Sequence, residues 1–226
     1  MTAVDAVADA LREDILDGRL GADEPLRETA LTARFGVNRH TVRAALQALA
    51  AERLVTFEAY RGARVRSFSD ADVLALMEYR TAIEAEAVRL LRARAEPSSR
   101  PPDSIIAAND SLRRICIDRP GDHRAIEVAH AELHHTIVAA AGSPRLSEAH
   151  AGLLAELGLF MVQLRSVLPP EELIDQHDRL VHALSGDHGE AELRAHLAHS
   201  AEQLIALRRP APGGIRSGPC ATPSGP

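Results

Sequence analysis

Apolar residues recur at three- and four-residue intervals along most of this chain, which predicts helix after helix. The first third is more varied. A short amphipathic stretch over 28–35 reads as a helix that ends in the turn Phe35-Gly36-Val37. A second helix is predicted to open at Asn38, whose side-chain oxygen can accept a bond from a free N–H of the first turn. Val42, Ala45, Leu46 and Leu49 share its inner face, whereas Arg39, His40, Arg43 and Gln47 fall on the other. Two strand-like runs follow, 54–58 and 63–67, around a tip at Arg61-Gly62. Helix, tight turn, helix and β-ribbon together predict a winged helix-turn-helix over residues 1–67, a head built to read DNA.

Beyond the head, strand-like alternation almost disappears. Ser69 with Asp72 three residues on reads as a capping box that starts a long helix running to about residue 95. The run Pro97-Ser98-Ser99-Arg100-Pro101-Pro102 breaks the chain, and helices are predicted near 104–117, 121–141, 145–167, 171–184 and 190–207. The fold class is therefore mainly α: the winged head, then an all-helical bundle of about six helices over 68–209. Residues 210–226, rich in Pro, Gly and Ser, have nothing to bury and are expected to be disordered.

Composition narrows the function. A chain of 226 residues that is 46% hydrophobic has room for two modest cores. No apolar run reaches the length of a membrane span, and the opening MTAVDAVADALRED is acidic and helical, unlike a signal peptide. Two cysteines cannot make a disulfide framework, so a cytoplasmic location is expected. A net charge of −6 argues against a general coat for nucleic acid, but not against arginines concentrated on one helix and a wing. With only 3% aromatic residues, stacking on single-stranded bases is excluded as a main mode. The first turn of the second helix is the place to meet double-stranded DNA. Arg39 can grip a guanine edge or a phosphate, and Thr41 with the helix N-terminus suits phosphate oxygens.

Histidine carries the chemistry of the bundle. His130 and His134 are i,i+4 neighbours on an apolar stripe with Ile126, Leu133 and Ile137. His177 lies on a second stripe with Leu173, Leu180 and Leu184, and His196 on a third with Leu193, Leu197 and Leu204. His199 sits nearer polar neighbours and is expected to be exposed. Inward histidines on facing helices are costly unless paired, protonated or metal-bound, and this arrangement can close around a divalent ion.

The head resembles the GntR family of bacterial transcription regulators. The resemblance rests on Ile15-Leu16-Asp17-Gly18-Arg19-Leu20, Pro25-Leu26-Arg27-Glu28, Phe35-Gly36-Val37, Arg39, Thr41-Val42-Arg43 and the wing Arg61-Gly62-Ala63-Arg64-Val65. Candidate DNA-contacting residues are Arg27, Asn38, Arg39, His40, Thr41, Arg43, Arg61 and Gly62. Asn38 stands where the family has Ser or Thr, and Arg53 where it has Gly, which implies strain if its φ is positive. The bundle resembles the FCD effector-binding domain of the FadR-type branch, through Arg80-Thr81-Ala82-Ile83-Glu84, Leu133-His134, Ala141-Gly142-Ser143-Pro144-Arg145-Leu146, His177 and Leu193-Arg194-Ala195-His196-Leu197.

That resemblance implies a metal held by an Asp and three His. The histidines carry over to His134, His177 and His196, with His199 as a register alternative, while His130 occupies the Asp position. Two readings stay open: an all-histidine site for a divalent transition metal such as Zn²⁺ or Ni²⁺, or a pocket that no longer holds one. Arg80 and Glu84 likewise read either as a surface ion pair of small value or as a pocket in which Arg80 binds a carboxylate effector. The function implied is a regulator that binds an inverted-repeat operator as a homodimer and answers to a small organic acid or sugar acid. The alternatives are a regulator whose bundle only dimerises, and a metal-dependent helical hydrolase, which lacks an obvious inward carboxylate base beside the histidines.

Overall fold

The computed structural model describes residues 1–94, 100–164 and 169–208, so the expected tail at 210–226 lies outside the described residues. The head comprises α1 (Ala3–Leu16), α2 (Glu28–Phe35), α3 (Arg39–Ala51), β1 (Val55–Glu58) and β2 (Gly62–Val65). Thr2 and Asp5 exchange backbone and side-chain hydrogen bonds of 2.7 and 3.1 Å, a capping box that opens α1. Gly36 ends α2 in the left-handed region at φ 64°, where a side chain would be strained. The strands pair antiparallel from Val55↔Val65 to Glu58↔Gly62, slightly shorter than the sequence runs suggest. Leu11, Ile15, Val42, Leu46, Leu49 and Leu54 are buried, so α1 and α3 close on each other with the foot of the wing beneath them.

Arg53 carries the strain that the sequence warned of. Its φ is 59°, in a Schellman arrangement that ends α3: its N–H donates to the Ala50 carbonyl at 3.0 Å and the Leu54 N–H to the Leu49 carbonyl at 3.0 Å. A non-glycine residue held there costs on the order of 1 kcal/mol.

Among the described residues seven helices follow: α4 (Asp70–Arg94), α5 (Asp103–Asp118), α6 (His123–Ala140), α7 (Pro144–Ala151), α8 (Leu154–Leu164), α9 (Pro170–Ala183) and α10 (Gly189–Arg208). The Ser69–Asp72 box is formed, with bonds of 2.9 and 3.1 Å. The single helix expected over 145–167 is instead two. At Gly152-Leu153 the backbone tightens, the Leu153 N–H donating to the His150 carbonyl at 2.9 Å, and Leu153 is buried. Before the break α7 carries the buried His150 against α4 and α6, and after it α8 packs on α6 and on α1 of the head.

In the bundle α5 packs on α6 and α9, α10 on α4 and α9, and α4 also on α6 and α7. One apolar cluster runs without interruption from the head into α7 and α8, and a second surrounds the middle of α6, α9 and α10. Gly158 makes room for Leu16, whose Cδ2 would stand 3.1 Å from a Cβ placed there. Phe68 meets Phe160 edge to face at 6.1 Å. Among the described residues no helix is long and apolar enough to cross a membrane.

Candidate nucleic-acid interface and metal centre

Asn38 caps α3 as its chemistry requires. Its Oδ1 accepts from the Thr41 N–H at 2.9 Å and from the Thr41 hydroxyl at 3.2 Å. Arg39, His40 and Arg43 are exposed on the first two turns. Both arginines lean back onto Glu28 at the start of α2: Arg39 hydrogen-bonds one carboxylate oxygen and the Arg43 Nε lies 3.3 Å from the other. The bond from Arg39 is the main reason the Glu28 carboxyl is held below its usual value. Glu28 therefore sets the posture of two candidate DNA-contacting residues, a role that spacing along the chain does not show. Arg27 is exposed just before α2. At the wing, Arg61 pairs with Glu58 at 2.5 Å and Asp23 at 3.3 Å, Gly62 has φ 73°, and Tyr60 projects into solvent.

In the bundle, α6 supplies His130 and His134, α9 His177 and α10 His196. All four are buried, and one ligand atom from each lies within 4.8 Å of the others. His199 is exposed, 3.6 Å from Glu172. The ring orientations follow from their partners. His134 Nδ1 is 2.7 Å from a Glu84 oxygen and His177 Nδ1 is 2.7 Å from the Leu173 carbonyl, so in each neutral ring Nδ1–H donates and Nε2 holds a lone pair. Those two Nε2 atoms face each other at 3.2 Å. His196 Nε2 is buried with no hydrogen-bond partner. An orphaned ring nitrogen beside two converging lone pairs is a donor set that can hold a transition-metal ion.

Burial sets the protonation. It pushes His134 down to about 4 and His177 to about 3, and it depresses His130 and His196, helped in each case by neighbouring positive charge. In the metal-free protein the unfolded chain, with histidines near 6.5, binds protons that the folded chain refuses. Stability is therefore expected to be fully present above that value and to fall as pH drops from about 6.5 towards 4. Melting curves of chelator-treated protein at pH 7.5, 6.0 and 5.0 check this, and a flat profile contradicts it.

The sequence matches the bacterial regulatory protein, gntR family profile over residues 3–65 and the FCD domain profile over residues 75–202. The HTH-type transcriptional repressor GlaR of Escherichia coli strain K12 is 33% identical over 75% of this chain and 78% of its own length. This chain belongs to the GntR family. It falls in the FadR-type branch, in which an FCD domain follows the winged head. A protein of Paenarthrobacter nicotinovorans, described as "Probable D-xylose utilization operon transcriptional repressor", is 26% identical over 95% of this chain and 92% of its own. A GntR structure from Rhodococcus sp. RHA1 superposes with a TM-score of 0.72 at 23% identity, over 92% of this chain and 100% of that one, which shows the shared fold. The family is one of DNA-binding regulators, not of enzymes.

Of the two readings open for Arg80 and Glu84 the surface one falls, and the expected lack of an inward carboxylate beside the histidines needs correcting. Arg80 and Glu84 are no surface pair: Arg80 is 2% exposed and Glu84 0%, joined at 2.5 Å. An inward carboxylate does stand beside the histidines, and it is Glu84. It is fully spent on Arg80, His134 and His150, the last at 3.2 Å, which leaves it no part as a hydrolytic base. The sequence reading missed His150, fully buried on α7, and its 3.3 Å contact with His135. The cavity lined by Arg80, His130, His134 and His150 has a volume of only about 10 Å³, enough for roughly one water molecule.

Proposed function

We propose that this chain is a ligand-responsive regulator that binds an inverted-repeat operator as a homodimer in the cytoplasm. The exposed, Asn38-capped first turn of α3 carries the proposal, because it offers two arginines and a helix N-terminus to a major groove. One such helix per chain reads a short half-site, so two copies are needed. The names of the two relatives above support repression as the sign of regulation. Arg39→Ala and Arg43→Ala should each weaken operator binding by about 1–3 kcal/mol where the contact is to a base edge. Affinity should also fall steeply as salt rises. A monomer whose binding to duplex DNA ignores salt in an electrophoretic shift assay would overturn the reading.

The effector we propose is a small organic or sugar acid, with Arg80 as its carboxylate partner and the four histidines holding a divalent ion such as Zn²⁺ or Ni²⁺. The burial of Arg80 supports this, since a guanidinium kept from water in a bundle is a strong site for a carboxylate. The acid must displace Glu84 or widen the small chamber. Arg80→Lys keeps the charge but loses the planar fork, so it should abolish most of the thermal stabilisation given by the best acid of a panel. Full stabilisation of that variant would remove Arg80 from the site.

A further inference from the structure

The histidine cluster is built for an ion, and its surroundings lead to the head. His134 and His177 present facing Nε2 lone pairs at 3.2 Å, a repulsive arrangement that a shared cation relieves, and His196 Nε2 has no other partner. Four imidazoles already meet the coordination number of a closed zinc site. The small cavity beside His130 and His134 has room for about one water, so an ion on the four nitrogens needs no larger chamber.

The contacts outside the cluster are continuous. Glu84 on α4 holds His134 at 2.7 Å with one oxygen and His150 on α7 at 3.2 Å with the other. From His150 the chain turns at Gly152 into α8. There Glu156, 1% exposed, accepts Arg66 just past the wing at 2.5 Å and lies 3.4 Å from Arg53 just past α3. Leu16 of α1 rests on Gly158, two residues further along α8. The segment that feels His134 through Glu84 is therefore the one on which α1, the end of α3 and the base of the wing are seated.

We propose that a divalent transition-metal ion bound by His130, His134, His177 and His196 is itself a signal for this regulator, passed to the head through Glu84, His150 and Glu156. The proposal rests on the DNA-binding reading above and needs no organic ligand. Coupling of this kind changes affinity by about 5- to 150-fold.

The test uses the full chain, stripped with chelator, and duplexes selected from a random pool in two arms, one metal-free and one with ZnCl₂ or NiCl₂. Metal loading is read separately by elemental analysis. We expect DNA affinity, measured by anisotropy, to differ at least about fivefold between the metal-free and loaded parent. His177→Ala should stay at the metal-free value in both conditions. Glu156→Gln should still load metal but lose most of the response; Arg53→Ala, which removes the longer contact, serves if that variant does not fold. Stoichiometric metal with unchanged DNA affinity would make the ion structural and overturn the proposal. An undiminished response in Glu156→Gln and Arg53→Ala would overturn the route. No metal in the parent would end the metal reading, and no duplex selected in either arm would end the DNA-binding reading.

Discussion

A chain lacking His134 and His177 is expected to leave purification without a divalent ion, where the parent carries one per chain. The two Nε2 atoms removed are the pair at 3.2 Å, fixed from behind by Glu84 and the Leu173 carbonyl. Their removal leaves His130 and His196, too few nitrogens for a tight site. The effect on stability should be large. An ion present at a thousand times its dissociation constant adds about 4 kcal/mol to the folded state. For a chain of this size each kcal/mol shifts the melting midpoint by about 2–4 °C, so chelation should lower the parent by roughly 8–16 °C and leave the double variant unmoved. Four imidazoles and no first-sphere carboxylate should favour Zn²⁺, Ni²⁺, Co²⁺ or Cu²⁺ and give Mg²⁺ little hold. Elemental analysis of both proteins, prepared without a histidine tag, decides the matter. Equal and negligible metal in the two would mean that the cluster is held by hydrogen bonds alone.

What could be read ahead of the structure was what repeats along a helix. The inner face of α3, its Asn38 cap and the Ser69–Asp72 box are local, and local chemistry decided them. The stripes of α6, α9 and α10 placed four histidines inward because 3.6-residue periodicity leaves them no other side. The break at Gly152 was hidden for the opposite reason. Apolar spacing continues through it, glycine is tolerated inside helices, and the turn is imposed by two distant demands, His150 on Glu84 and α8 on the head. Glu84 was visible only as half of an i,i+4 pair. Such a pair looks the same in water and in a core, and what buries this one are histidines 50 and 66 residues away. The role of Glu28 left no mark in the sequence for a similar reason, since its arginines reach it from the next helix.

Glu84→Ala should be among the most destabilising single changes in the bundle. It leaves Arg80 buried at 2% exposure with its partner gone, and it strips His134 and His150 of their acceptor. Removing one member of a buried ion pair costs about 3–5 kcal/mol, whereas an exposed pair contributes about 0–1 kcal/mol, so urea denaturation separates the two cases cleanly. A loss below about 1 kcal/mol would mean that the pair behaves as a surface one. The charge of Glu84 is what the site uses. Burial alone would raise its carboxyl, but Arg80, His134 and His150 together hold it well below the usual range. That contribution is present above the ordinary carboxylate value and is lost as pH falls through the lower folded one. Arg80→Met with Glu84→Leu removes both charges at once and should recover part of the loss. The recovery should stay incomplete, because leucine gives His134 and His150 nothing to bond. A double variant as stable as the parent would show that the histidines take no support from Glu84, and that the pair matters only to itself.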